Sequence, residues 1–229
     1  MSLPTSDVRE SLAFYRKLGF SFAEVGEAWP HPYAVATDGR ISIGLHQCAD
    51  LEPTLTFVRP DLLRHLEGLE RLVASFDVRR LGPDVFNELR WRDPGGNSLR
   101  FVEARTFSPS TGTRTNRSLC GDFREVALPA ADAAQSKSHW EAIGFVGLDE
   151  EGGLGRHVGC TSDTLDLGLY SEAELARPTL LFEVDDLAAT GSALTAAGIR
   201  GVARRAGGAA ECLSFTAPEG TPILVLGGA

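Results

Sequence analysis

Lysine is almost missing from this chain. Among 22 basic residues only Lys17 and Lys137 are Lys, and the formal net charge is −9. That balance argues against a nucleic-acid partner, whose phosphates demand a basic face; the preference for Arg is read as genomic bias. Cysteine is also sparse. Cys48, Cys120, Cys160 and Cys212 form no Cys-x-x-Cys pair, which argues against a zinc knuckle or a redox motif. The opening Met1-Ser2-Leu3-Pro4 lacks the basic region and apolar core of a signal peptide. No apolar run approaches membrane-spanning length. These absences lead to the expectation of a cytoplasmic protein with reduced thiols and no membrane partner. No Gly-x-Gly-x-x-Gly opens a helix after a strand, and no Gly-x-Ser-x-Gly elbow is present, so neither a dinucleotide site nor a serine hydrolase is suggested.

What the chain does contain is a long internal repeat. Leu3-Pro4-Thr5-Ser6-Asp7 followed by Phe14-Tyr15-Arg16-Lys17-Leu18-Gly19-Phe20 returns as Leu128-Pro129-Ala130-Ala131-Asp132 followed by His139-Trp140-Glu141-Ala142-Ile143-Gly144-Phe145. Pro53-Thr54-Leu55-Thr56-Phe57 leading to Asp61-Leu62 returns, at the same offset, as Pro178-Thr179-Leu180-Leu181-Phe182 leading to Asp186-Leu187. A period this long means two similar domains rather than a solenoid. The chain of 229 residues, 43% hydrophobic and 23% charged, has ample material for two cores.

Local signals order each copy. Asp7 is a good N-cap with Glu10 three residues on, and Val8, Leu12, Tyr15 and Leu18 share one helical face up to a Gly19 stop. Asp132, Gln135, Trp140, Ile143 and Gly144 repeat that logic. Asp38-Gly39 marks a hairpin between Tyr33–Thr37 and Ile41–His46. There Ile41, Ile43 and Leu45 should face the helices, and Ser42, Gly44 and His46 something open. Leu165, Leu167 and Leu169 against Asp166, Gly168 and Tyr170 read the same way. A second strand then runs into a capped helix, at Asp61 and again at Asp186, with Leu62, Leu66, Leu69 and Val73 as the first one's buried face. The last strands are joined through Asp93-Pro94-Gly95-Gly96-Asn97 and Ala217-Pro218-Glu219-Gly220. Each copy reads strand, helix, three strands, twice over. The fold class is α+β, with domains at 1–104 and 123–229 and a Ser/Thr/Gly/Arg-rich linker at 105–122.

On the residues Leu3-Pro4…Asp7…Phe14-Tyr15…Leu18-Gly19-Phe20, Gly44-Leu45-His46 and Arg92-Asp93-Pro94-Gly95-Gly96-Asn97, the chain resembles a tandem member of the vicinal oxygen chelate superfamily. That group holds the glyoxalases, bleomycin-resistance proteins and extradiol dioxygenases. The resemblance implies paired βαβββ units forming curled, cup-like mixed sheets. It implies domains that pair within the chain, with a homodimer possible. In the group's enzymes a divalent metal sits in the cup, held by His, Glu or Gln from first and last strands, and chelates two neighbouring substrate oxygens. Carried over, the first ligand position precedes Met1 in one domain and falls on Glu125 in the other. The second falls on Gly44 and Gly168, the third on Thr54 and Thr179, and the fourth on Arg100 and Leu224. One good ligand and a guanidinium do not make a metal set.

The expectation is therefore a metal-free protein of the glyoxalase/bleomycin-resistance type, with no cofactor, binding a small organic molecule in a cup. The alternatives are a metal-dependent lyase or dioxygenase using Glu125 and His46, and a non-catalytic interaction module. The candidate ligand-binding residues are Glu125, Arg100, Thr54, His46, Tyr170 and Trp91; no catalytic residue is assigned. His46 reads as a general base, a ligand donor or a strand-end residue. Tyr170 reads as a cup wall or packing, Trp91 as a wall or core like Phe215. His65 and His139 sit on helices and should be solvated. The first strand should be short, and the first domain's cup the less polar. With the superfamily's pairing, Glu125 should share a cup with Thr54 and Arg100 and form an ion pair with Arg100.

Overall fold

The computed structural model of the chain describes residues 1–23, 29–103, 118–152, 154–171, 175–206 and 210–228. The first half contains β1 (Ser2–Pro4), α1 (Val8–Lys17), β2 (Ser21–Ala23), β3 (Tyr33–Thr37), β4 (Ser42–His46), β5 (Thr54–Val58), α2 (Leu62–Leu72), β6 (Val78–Arg80), β7 (Glu88–Arg92) and β8 (Ser98–Val102). The second contains β9 (Asp122–Pro129), α3 (Ala133–Ala142), β10 (Val146–Gly152), β11 (Gly155–Thr161), β12 (Asp166–Tyr170), β13 (Thr179–Val184), α4 (Leu187–Ala196), β14 (Val202–Ala206), β15 (Ala210–Thr216) and β16 (Pro222–Gly227). This is the α+β arrangement of four βαβββ units. Positions 105–117 of the expected linker lie outside the described residues; 118–121 close a small turn before β9.

Each half forms one eight-stranded mixed sheet, β2-β3-β4-β1-β5-β8-β7-β6 and β10-β11-β12-β9-β13-β16-β15-β14. In every unit a helix and a three-strand meander bring the last strand back parallel to the first. The two units of each half meet antiparallel, at β1/β5 and β9/β13. The first strand is short, three residues in β1 against eight in β9. Among the described residues no helix is long and apolar enough to cross a membrane, and all four cysteines are free thiols.

Period-two alternation decides the two faces. Ile43, Leu45, Leu55, Leu89, Trp91, Leu99 and Phe101 lie in the core, so Gly44, His46, Thr54, Thr56, Glu88, Arg90 and Arg100 lie on the opposite face. The core is continuous across both halves, built from rings that meet at the boundary: Phe14 with Phe215, Phe20 with Phe182, Phe57 with Trp140. Each half also grips the first helix of the other with its last turn. Tyr15 Oη and Ser11 Oγ donate to Glu219 at 2.6 and 3.0 Å. In the reciprocal contact Trp140 Nε1 donates to Asp93 Oδ2 at 3.2 Å, and Asn97 Nδ2 to the Pro129 carbonyl at 3.1 Å. Burial pushes the Asp93 carboxyl up, against the hydrogen bonds from Asn97 and Trp140. These two Pro/Gly turns, of which Asp93-Pro94-Gly95-Gly96-Asn97 carried part of the resemblance, are thus clasps between domains.

Three expectations need correction here. Asp61 stands at the N-cap of α2 without capping it; its carboxylate lies 3.4 Å from His65 Nε2 instead. His139 is buried, not solvated. It accepts a hydrogen bond at 3.1 Å from Trp91 Nε1 across the domain boundary, and burial lowers its pKa. Finally, each sheet is built within one half, so each cup is too. Glu125 shares its sheet with Thr179 and Leu224, not with Thr54 and Arg100.

Candidate functional site

The inner face of the first sheet carries one row of side chains from strand to strand. Register sets Tyr33 beside His46, Val35 beside Gly44, Gly44 beside Ser2, Ser2 beside Thr54, Thr56 beside Arg100, Arg100 beside Arg90, and Glu88 beside Arg80. Trp29, just before β3, places its ring 4.5 Å from the Arg100 guanidinium carbon. The strands β3 and β8 are four spacings apart in the sheet order, roughly 19 Å if flat. The sheet is therefore curled, with the Trp29 segment folded over it.

Arg100 lies on the floor of this cup with its side chain only 8% exposed. Its Nη2 meets Glu88 Oε1 at 2.6 Å, and Arg80 Nη1 stands 3.7 Å from Glu88 Oε2. Arg100 therefore pairs with Glu88 inside its own domain, and the expected pair with Glu125 is not made. The physical reason is adjacency: β7 neighbours β8 in the same sheet, while β9 belongs to the other. Burial lowers the Arg100 pKa, Glu88 raises it, and Arg90 and Arg80 lower it further. The Nε atoms of Arg90 and Arg100 are buried without a hydrogen-bond partner.

The opposite wall is aromatic. Trp29 stacks on His31 and meets His46 edge-on at 5.2 Å, while Tyr33 lies 4.4 Å from His46. His31 Nε2 and His46 Nδ1 are 2.9 Å apart. Burial, then His31, Arg100 and the N-terminus, push the His46 pKa down to about 4, so its ring is neutral near pH 7. Gly44 makes room for this wall, because a Cβ there would sit 3.2 Å from Tyr33 Cε2. Small hydroxyls line the middle. Ser2 Oγ and Thr56 Oγ1 lie 2.9 Å apart, and Thr54 Oγ1 donates to Glu52 O and Ser98 Oγ.

The second cup is different. Tyr170 Oη donates to Glu125 Oε1 at 2.6 Å. His157 stacks on Tyr170 at 4.5 Å and 13°, with its Nε2 3.8 Å from Glu125 Oε2. A Cβ at Gly168 would overlap Glu125 Oε1 and lie 2.5 Å from Tyr170 Cε2, so glycine there permits the Glu125–Tyr170 contact. Facing them, Leu154, Leu175, Leu181, Cys212 and Leu226 pack with Ala127 and Tyr170 into a separate buried cluster. Among the described residues this cup thus carries a buried leucine cluster against the Glu125–Tyr170 pair. The polarity is the reverse of the expectation: the first cup is the polar one.

Of the six expected site residues, the structure brings Arg100, Thr54 and His46 to the first cup and Glu125 and Tyr170 to the second. Trp91 is fully buried on the other face of β7, among Phe76, Phe101 and His139. Glu88, Arg90 and Tyr33 were missed. For the first two the signal was present: in Glu88-Leu89-Arg90-Trp91, alternation puts both charges opposite the apolar pair.

A metal is what the resemblance implies for such a cup, and the donors do not fit it. Among the described residues no three His, Cys, Asp or Glu side chains converge as a ligand set. The first cup offers guanidinium groups and hydroxyls at the ladder positions. The second offers one carboxylate already held by Tyr170, with Leu181 and Leu224 alongside on β13 and β16.

Neither protein-family models nor curated protein sequences give a match. Solved structures do. A homoprotocatechuate 2,3-dioxygenase variant from B. fuscum superposes with a TM-score of 0.66 at 16% identity, over 99% of this chain and 69% of that one. A catechol 2,3-dioxygenase gives 0.59 at 16%, over 100% and 86%. The homoprotocatechuate 2,3-dioxygenase of Arthrobacter globiformis gives 0.62 at 16%, over 100% and 78%. These neighbours are dioxygenases, and the likeness shows that this chain shares their tandem fold.

Proposed function

We propose that this chain binds a small organic molecule in the cup of its first domain, with Arg100 standing where the related fold would place a metal ligand. The observation that carries the reading is the asymmetry of the two cups. One carries a buried leucine cluster among its described residues. The other has a buried polar floor with guanidinium donors left unpartnered and an aromatic wall beside it, which is the mixture that binding sites use. A thermal-shift screen tests it, because a ligand that binds only the folded state raises the melting temperature. Expected are shifts that vanish in Arg100→Ala and persist in Leu181→Met, which repacks only the second cup. Shifts insensitive to Arg100→Ala would place the ligand elsewhere.

The structural neighbours favour a second reading, a metal-dependent dioxygenase of the same superfamily. Metal analysis of protein purified without chelators separates the two. The donor set predicts sub-stoichiometric metal and no ring cleavage of catechol. Stoichiometric iron, zinc, nickel or manganese would favour the second reading.

A further inference from the structure

We infer that the ligand of the first cup is an anion, a planar organic acid whose carboxylate docks on Arg90 and Arg100 and whose ring lies along Trp29 and Tyr33. This rests on the reading that the first cup is a binding site. It adds the chemical class.

The charge census of the inner face comes first. Arg80, Arg90 and Arg100 stand on it, at registered positions of three adjacent strands, with Glu88 as the carboxylate among them. Glu88 already meets two of the three, at 2.6 and 3.7 Å. Arg90 makes no ion pair among the described residues, and it stands directly beside Arg100 in the ladder. Two like charges held side by side repel unless an anion lies between them. Glu52 is committed at the rim, to Arg92 at 2.7 Å. On the opposite wall His31 and His46 contribute no negative charge in either protonation state, and burial raises the Tyr33 pKa, which keeps its hydroxyl protonated.

Unmade hydrogen bonds come second. The Nε atoms of Arg90 and Arg100 are both buried and both lack a partner. A buried donor left unpaired is costly, so native structures seldom keep one without an occupant to satisfy it. A guanidinium offers Nε and Nη as a fork matched to the two oxygens of a carboxylate. Here two such forks share one face of the sheet. The aromatic wall comes third. Trp29, His31, Tyr33 and His46 cluster within ring-contact distance on the side of the cup away from β7, and Trp29 spans to Arg100. Flat π surfaces beside cationic forks select a flat body with a charged end.

The test compares benzoate with benzamide, a neutral probe of nearly the same shape, by calorimetric titration and thermal shift on the full chain. Expected is benzoate binding about tenfold tighter, equivalent to about 1.4 kcal/mol, with the preference lost in Arg90→Gln. That variant leaves no carboxylate orphaned, so it is expected to fold. Arg100→Gln combined with Glu88→Gln removes the pair together and should give the same loss. Equal binding of benzoate and benzamide, or a benzoate preference unchanged in both variants, would overturn the anion assignment while leaving the cup a binding site. If neither probe binds, the acid assignment falls; the broader reading falls with it only if the screen with uncharged molecules of other shapes also yields no Arg100-dependent shift.

Discussion

His46 shows how a single position couples structure to pH. Its pKa is pushed from 6.5 down to about 4, by burial first and then by His31 and Arg100. A histidine with a depressed folded-state pKa binds fewer protons when folded than when unfolded between those two values. Stability therefore rises with pH through that window and is lost as pH falls from about 6.5 to about 4. Denaturant titrations at several pH values should show the loss, and His46→Gln should flatten part of it. An unchanged slope in the variant would mean that folding does not shift the His46 pKa. Gly168 is a second case. A methyl group there would collide with the Glu125–Tyr170 pair, so Gly168→Ala should destabilise by about 1–3 kcal/mol, as overpacking does. Urea melts measure it, and a neutral result would show that the pair moves freely.

At the scale of elements, the helix caps differ in a way that predicts unequal mutants. Asp7 accepts from the Arg9 and Glu10 amides at 2.8 and 3.3 Å at the start of α1, whereas Asp61 caps nothing in α2. Asp7→Ala should cost about 1 kcal/mol, and Asp61→Ala should stay within about 0.5 kcal/mol. Equal effects in chemical denaturation would contradict the cap geometry. The turn between β7 and β8 carries a further demand. A Cβ on Gly95 would lie 2.5 Å from the Pro129 carbonyl oxygen of the other half. Gly95 is therefore a point of backbone approach between domains as much as a turn residue.

For the whole molecule, one hydrophobic core runs through both halves, and the clasps through Glu219 and Asp93 are reciprocal. The two domains should therefore unfold in a single cooperative transition. Gly95→Ala should lower that transition without changing the secondary structure, since its collision is with the partner domain's backbone. Two resolved calorimetric transitions in the unmodified chain would refute the coupling.

The sequence by itself determined much of this protein. Alternation in Ile43-Gly44-Leu45-His46, the Asp7 and Asp132 caps, the glycine stops and the 125-residue repeat are local signals, and each acts through neighbours a few residues away or through a similar second copy. They were enough for four βαβββ units and for which face of each strand meets the helices. Only the tertiary structure decided which strands share a sheet. That choice gave Arg100 the adjacent Glu88 in place of Glu125. It turned Trp91 and His139 into an interdomain hydrogen bond, and set a leucine cluster in one cup and a row of charged groups in the other. The physical reason is that pairing partners are set by packing between segments far apart in the chain, and charges choose among whatever neighbours that packing supplies. A residue's alternation tells which way it points, but not what it finds there.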